Sequence, residues 1–375
     1  MKLKFIPNLP YTYRDHVRFG VEYFLDKGYD VEVLDIHKIL VPGYKEKVDI
    51  DYWTFKFHYE LNTKKDLLDC IQNLESTDFI FFYIAGKEAE LLLSMMRKST
   101  QAKFITYIGG SIPITTEPCG IIERSKSWIN QHIRPVFRRK IFATDYYVSG
   151  SPKDEKVFSY LIDKNTKVLK SHSRDYNLCL DANDYFYEKP YCVFLDTDVI
   201  DASDYILMGK DVPLNQEEYI TKIVSFFYWI EEMFQVEVII AAHPKSRIYF
   251  KRNSISGIKI VHGKSVQLVK NAKFVLNEGT TSIAYAIFFS KPILFFTLRE
   301  IAFFKHTCAF AKALKKAVIE IDTLSNVTRK KIDEELKNKD NYEEYKKQYL
   351  TYNDKHISTY DMLHNFFKSY EKELK

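Results

Sequence analysis

The first half of the chain alternates short apolar runs with amphipathic segments. Apolar runs bounded by turn residues are typical of buried strands, and apolar residues at every third or fourth position are typical of helices. The predicted strands are Lys2–Pro7, Asp30–Asp35, Asp78–Ile84, Lys103–Ile108, Thr144–Ser149 and Lys167–Leu169. The predicted helices are Asp15–Lys27, Lys64–Leu74 and Lys87–Ser99. This order predicts a parallel sheet covered by helices on both faces.

A polar stretch at 177–190 interrupts this pattern, and the same alternation then starts again. The second set of predicted strands is Tyr191–Leu195, Glu237–Ala241, Lys259–Val261, Lys273–Leu276 and Ile293–Phe296. Its predicted helices are Glu217–Phe234, Val266–Asn271 and Ser282–Phe289. We therefore predict an α/β protein of two Rossmann-like domains, residues 1–185 and 186–325, with charged helices at 326–375 that pack across both.

Charge and cysteine usage exclude several classes of protein. The 55 basic residues are set against 50 acidic ones, a balance that does not favour a nucleic-acid partner. The five cysteines are scattered without a CxxC pair, which is typical of reduced thiols rather than of disulfides or a zinc site. The apolar run at the N-terminus is too short for a secretory signal, and no run reaches the length of a membrane span. We expect a cytoplasmic protein.

The first candidate for chemistry is the sequence AAHPKS at 241–246, directly after an apolar strand. Ligands of open parallel sheets bind beyond the carboxyl ends of the strands, and His243 lies at such an end. Pro244 fixes the turn, so that His243 projects from it, with Lys245 next along the chain. The alternative is a turn histidine without a function.

The second candidate is Gly279-Thr280-Thr281-Ser282, which follows a strand and opens a predicted helix. Free N–H groups and hydroxyls at a helix start attract an anion such as a phosphate. Alternatively, Thr280 or Thr281 is only an N-cap. Strand–helix–strand spacing predicts that this motif and His243 lie on neighbouring strands.

Asp196 and Asp198 form a third candidate, since they follow the strand that opens the second half. An Asp-x-Asp pair can hold a divalent metal, but here it is in the wrong setting for that role, and we expect no metal. We predict instead that Asp196 is a general base that accepts the proton of an acceptor hydroxyl. Loop capping is the alternative, and Asp198, Asp201 and Asp204 are further candidates for the base.

The His-Pro and hydroxyl motifs together resemble those of bacterial GT-B glycosyltransferases of the sialyltransferase and Kdo-transferase type. The resemblance covers roughly Tyr191–Thr297. It implies a cleft between two Rossmann-like domains, a CMP-activated ulosonic acid such as sialic acid or Kdo as donor, and a role in lipopolysaccharide or capsule synthesis. It also implies that His243, Thr281 and Ser282 contact the donor phosphate.

We therefore predict inverting glycosyl transfer to a glycan or glycolipid acceptor, with no cofactor beyond the nucleotide sugar. The catalytic candidates are Asp196 and His243. The donor-binding candidates are His243, Pro244, Lys245, Gly279, Thr280, Thr281 and Ser282. The alternatives are a CDP-alcohol phosphotransferase of the teichoic-acid type, a UDP-sugar GT-B enzyme or 2-epimerase, and a catalytically inactive glycan-binding module.

Two features of the first half bear on the acceptor. Gly109-Gly110-Ser111 follows a strand and either lines the cleft or forms a tight turn. The segment 121–142 is basic and contains aromatic residues, which is compatible with peripheral contact with an anionic membrane or with an ordinary helix face. Asp15-His16 offers another base or a helix cap.

Overall fold

The computed structural model describes residues 1–7, 9–47, 52–82, 87–110, 112–113, 142–180, 182–198, 215–244, 246, 248–249, 251–298, 304–352 and 356–374. The chain divides into two compact units. The first unit contains residues 1–111, 116–177 and 351–375, and the second contains 112–115 and 178–350. The change of unit after Asn177 therefore falls within the polar stretch at 177–190.

The first unit is built on one parallel sheet of seven strands in the order β3-β2-β1-β4-β5-β6-β7. The strands are β1 Lys2–Ile6, β2 Asp30–Asp35, β3 His58–Glu60, β4 Phe79–Phe82, β5 Lys103–Thr106, β6 Tyr146–Ser149 and β7 Lys167–Lys170. The helices are α1 Tyr13–Phe19, α2 Val21–Asp26, α3 His37–Leu40, α4 Tyr44–Lys47, α5 Lys64–Ile71, α6 Lys87–Ser99, α7 Pro152–Val157 and α8 Arg174–Asn177, with a 3₁₀ turn at Ser159–Leu161. Apolar side chains pack on both faces of the sheet, with Leu3 and Phe5 on one and Ile6 on the other. Burial of both faces explains why these strands are continuous apolar runs.

The second unit repeats this plan with a sheet in the order β10-β11-β9-β8-β12-β13-β14. Its strands are β8 Tyr191–Leu195, β9 Glu237–Ala242, β10 Ser254–Ile255, β11 Ile258–His262, β12 Val275–Asn277, β13 Ile293–Thr297 and β14 Val318–Glu320. Its helices are α9 Gln216–Phe234, α10 Ser265–Asn271, α11 Ile283–Phe288, α12 Phe304–Ala313, α13 Arg329–Lys337 and α14 Tyr342–Tyr345, with a 3₁₀ turn at Ile321–Asn326 and a π turn at Lys346–Leu350. All pairs in this sheet are parallel except β10 with β11. The predicted α/β class with two Rossmann-like sheets is confirmed.

The last helix, α15 (Thr359–Glu373), belongs to the first unit, whereas α13 and α14 belong to the second. The helix α15 buries Leu363 and Phe367 against the first sheet, where the Phe367 ring lies 4.7 Å from that of Phe79. Burial of one such aromatic side chain contributes roughly 1.5–3 kcal/mol. The chain returns to the first sheet after building the second.

One predicted helix, Asp15–Lys27, is in fact two. Gly20 has a φ of +68° and ends α1 in the left-handed conformation before α2 begins. A Cβ atom at this position would lie 2.6 Å from the Tyr360 ring of α15. The left-handed glycine therefore ends α1, and the Tyr360 ring leaves no room for a larger residue at this position.

Candidate functional site

The candidate site lies at the carboxyl edge of the second sheet, where the direction of strand addition changes. The strand β8 is central: β9 and β11 follow on one side of it, and β12, β13 and β14 on the other. Loops after the strands on either side of such a switch point diverge and leave room for a ligand. His243 directly follows β9, and Asp196 directly follows β8. Gly279 is separated from the end of β12 by one residue, Glu278.

This order corrects one prediction. The strands that carry His243 and the hydroxyl motif are not neighbours, because β8 lies between them. The spacing along the chain predicts that these strands exist. It does not predict on which side of β8 the strand β12 pairs. Asp196 therefore lies at the strand end between the two predicted motifs.

The Asp196 carboxylate bonds to the backbone of both the loop after β8 and the loop after β9. The His243 N–H donates to its Oδ2 atom (2.9 Å), and the Asp198 N–H donates to its Oδ1 atom (2.9 Å). Asp196 is only 6% exposed. Burial raises the pKa of Asp196 to about 6, although the hydrogen bonds from the Asp198 and His243 amides oppose the shift. Both oxygens face the protein, so the geometry favours the loop-capping alternative over a general base.

The His243 side chain is 25% exposed, and its Nδ1 atom lies 3.9 Å from the Asp198 Oδ2 atom. Asp198 has a φ of +57°, a left-handed conformation that aspartate tolerates better than most residues. The turn continues with exposed Pro244, while the Ser246 N–H closes it by donating to the His243 carbonyl (3.0 Å). The predicted site residue Lys245 and the fallback candidates Asp201 and Asp204 lie outside the described residues.

The hydroxyl motif forms a tight connection between β12 and α11. Gly279 has a φ of +100°, and its N–H donates to the Asn277 Oδ1 atom (2.8 Å). Thr280 is buried and accepts the Ser282 N–H at its Oγ1 atom (3.3 Å). Thr281 is exposed, and Ser282 is the N-cap of α11 without a side-chain cap bond. Thr280 thus stabilises the turn, while Thr281 is exposed to solvent.

Glu278 is a further residue of this edge that is not among the candidates predicted from the sequence. It is fully buried, and the Tyr219 hydroxyl of α9 donates to its Oε2 atom (2.7 Å). Burial raises the pKa of Glu278 to about 8 despite the hydrogen bond from Tyr219, and the charge of Asp196 adds to the shift. Burial therefore favours the protonated form of Glu278 near neutral pH. The feature of the sequence that could have identified Glu278 is its position as an acidic residue between an apolar strand and a glycine.

In the first unit, the glycine motif is a packed turn. Gly109 and Gly110 have φ values of +94° and +133°. The Arg174 side chain fills the space that a Cβ atom at Gly109 would need, and the Arg174 N–H donates to the Gly109 carbonyl (2.9 Å). Ser111 lies outside the described residues. The glycines at this turn allow Arg174 to approach closely. This geometry agrees with the tight-turn alternative.

The pair Asp15-His16 is occupied by local contacts. Asp15 forms a capping box with Thr12 at the start of α1. His16 is buried, with its Nδ1 atom 2.9 Å from the Tyr11 hydroxyl and its Nε2 atom 2.7 Å from Glu22. The contacts of Asp15 agree with the helix-cap alternative.

The predicted membrane-contact segment, 121–142, lies outside the described residues except for Phe142. Over the part of the chain that the structure describes, no helix combines the length and apolar character that crossing a bilayer requires. Within the same part, one group of side chains is close enough to share a metal ion, namely Asp35, His37 and Glu60 of the first unit.

Comparison with known proteins supports the fold. No protein-family model matches the chain, and no curated protein matches it in sequence. The chain is similar in structure to the UDP-GlcNAc 2-epimerase from Methanocaldococcus jannaschii, with a TM-score of 0.51, 12% identity, and coverage of 98% of this chain and 100% of that one. It is equally similar to a UDP-N-acetylglucosamine 2-epimerase, with a TM-score of 0.51, 10% identity and coverage of 99% and 96%. The chain has a two-domain α/β fold of the GT-B type.

Proposed function

We propose that the chain is a nucleotide-sugar-dependent enzyme that binds its donor at the carboxyl edge of the second sheet and transfers the sugar to a glycan or glycolipid acceptor. The observation that carries this proposal is the set of three strand ends at the switch point. The His243 amide is fixed by Asp196, and the Gly279–Ser282 turn follows the strand on the other side of Asp196. A preorganised edge of this kind suits a ligand with a phosphate group.

The proposed roles follow from exposure. The His243 side chain is partly exposed and Thr281 is exposed, so both are available to contact the donor phosphate and to stabilise the charge that develops as it leaves. Asp196 is a positioning residue rather than the base, because backbone amides occupy both of its oxygens. It acts by holding the His243 backbone in place.

The donor nucleotide has two candidates. The resemblance of the motifs implies a CMP-activated ulosonic acid. The two similar solved structures are 2-epimerases of a UDP-sugar, which supports a UDP-linked donor at least as well. The same structures favour a second candidate function, epimerisation of a UDP-sugar without transfer.

Calorimetric titration of the whole chain with CMP, UDP and CDP tests the donor class. We expect micromolar to millimolar binding of CMP or UDP, as is usual for enzyme substrates, and much weaker binding of the other two nucleotides. Preference for CDP would replace the proposal by a CDP-alcohol phosphotransferase. Binding without turnover of the matching nucleotide sugar would replace it by a glycan-binding module.

The variant His243→Ala tests the assignment of residues. We expect it to lower turnover at least about 10²-fold, the usual loss for one contact to a developing charge. The matched control is His364→Ala, because His364 lies on α15 and bonds to the Tyr29 hydroxyl in the first unit. Near-normal turnover of His243→Ala, or an equal loss in both variants, contradicts a role for His243 in the donor site.

A further inference from the structure

A cluster of metal-ligand side chains lies at one edge of the first sheet, on two neighbouring strands. The strand β2 ends at Asp35, which His37 follows in an Asp-x-His pattern, and β3 carries His58 and Glu60 in a His-x-Glu pattern. These strands are parallel, with Asp35 opposite Glu60. One ligand atom from each of Asp35, His37 and Glu60 lies within 4.8 Å of the others.

Asp35 is the centre of this cluster. It is fully buried, and its Oδ1 atom accepts from the His37 N–H (3.0 Å) and lies 2.7 Å from the His37 Nδ1 atom. Its Oδ2 atom accepts the Tyr11 N–H (2.9 Å) and lies 3.4 Å from the His58 Nε2 atom. Burial acts to raise the pKa of Asp35, but the hydrogen bonds from His37, His58 and Tyr11 outweigh it and hold the pKa well below its usual range.

Glu60 supplies the second carboxylate and is the more accessible of the two, with 29% of its side chain exposed. Lys45 and Lys38 both form ion pairs with it, the latter at 3.3 Å. Their side chains are 28% and 46% exposed, so both can move into solvent without leaving a buried charge. These lysines neutralise Glu60 and compete with any cation for it.

We propose that Asp35, His37 and Glu60 bind one divalent transition metal ion in place of the lysine contacts to Glu60. An imidazole together with two carboxylates is a ligand set for zinc and the neighbouring first-row metals, whereas calcium and magnesium take oxygen ligands. The site joins the end of β2 to the edge strand β3, so the bound ion stabilises the edge of the first sheet. It belongs to the first unit and is independent of the donor site proposed for the second.

Calorimetry with Zn²⁺ on the whole chain, after dialysis against a chelator, tests the proposal. We expect one equivalent to bind and the midpoint of thermal unfolding to rise, because a ligand at a hundred times its Kd stabilises the folded state by about 2.7 kcal/mol. Co²⁺ bound in place of Zn²⁺ reports its ligands through its visible absorption. The variants Glu60→Gln and His37→Gln are expected to bind Zn²⁺ at least about 10-fold more weakly. The control His364→Gln is expected to bind it as the unaltered chain does.

Lys45→Met separates a metal site from a network of hydrogen bonds. Removal of the competing cation is expected to tighten Zn²⁺ binding, whereas a lysine that only stabilises the edge of the sheet leaves affinity unchanged. Glu60→Gln keeps the test valid if the buried His37 variant fails to fold, since Glu60 is partly exposed. No stoichiometric binding by the unaltered chain, or equal binding by Glu60→Gln and His364→Gln, overturns the proposal.

Discussion

Replacement of Gly279 by alanine places a methyl group where α12 already lies. An ideal Cβ atom at this position is 2.8 Å from the Thr307 Oγ1 atom and 3.1 Å from the Thr307 N atom. Thr307 is fully buried and belongs to a helix, so it cannot move away at low cost. In addition, the φ of +100° is one that residues with a Cβ atom rarely adopt.

The expected magnitude is the sum of two costs. A non-glycine residue in such a conformation costs about 1–3 kcal/mol. Insertion of a methyl group into a packed site costs about 1–3 kcal/mol more. The matched control in the same unit is Gly263→Ala, because Gly263 has a φ of +66° but no atom within 4 Å of its Cβ position. The control is expected to lose only the first cost.

Urea unfolding followed by circular dichroism measures the stability of both variants. We expect Gly279→Ala to be less stable than Gly263→Ala by about 1–3 kcal/mol. Addition of Thr307→Ala to Gly279→Ala removes the nearest clashing atom, so the two substitutions are expected to be coupled by at least about 0.5 kcal/mol in a double-mutant cycle. Equal loss in the two glycine variants would refute the close packing of the Gly279–Ser282 turn on α12.

Two further predictions concern the buried carboxyl groups. Since the folded-state pKa of Glu278 is raised from 4.5 to about 8, the folded chain holds a proton that the unfolded chain releases, and stability falls as pH rises through that window. Glu278→Gln is expected to flatten the profile of unfolding free energy against pH by up to about 1.4 kcal/mol per pH unit, and an unchanged slope contradicts the shift. Asp196→Asn leaves one backbone N–H without its acceptor, at about 1–3 kcal/mol, and is expected to weaken nucleotide binding about tenfold by calorimetry. A fall in kcat of about 10²-fold or more with unchanged nucleotide affinity would instead make Asp196 the base.

Local sequence patterns predicted most of the elements, because buried strands and amphipathic helices are encoded by neighbouring residues. The helix Lys87–Ser99 and the strand Tyr191–Leu195 have the predicted bounds. The short strands β3, β10 and β14 were not predicted, because none of them forms an apolar run long enough to be recognised in the sequence. The break at Gly20 was missed because the apolar pattern continues on both sides of the glycine that ends α1.

The candidate site was predicted in its parts but not in its arrangement. The sequence places His243 and Thr281 at strand ends, yet the position of β8 between β9 and β12 depends on the side to which each crossover turns, which no local pattern specifies. The cluster around Asp35 was missed for a similar reason. Its side chains come from two short stretches, at 35–37 and 58–60, and only the register of β2 and β3 brings them together.

The two buried carboxyl groups at the switch point limit how a phosphate can bind there. Two charged carboxylates at this edge would repel the phosphate of the proposed donor, since like charges interact strongly where solvent is excluded. The raised pKa of Glu278 favours its protonated form near neutral pH, in which it accepts a hydrogen bond from Tyr219 without carrying a charge. Asp196 retains its charge, but the His243 and Asp198 amides direct their N–H groups at it and offset that charge locally. Asp196 thus holds the loop, and in the proposed donor site the partly exposed His243 and the exposed Thr281 are left to contact the anion. A positioning role for Asp196 therefore fits the proposal better than direct participation in proton transfer.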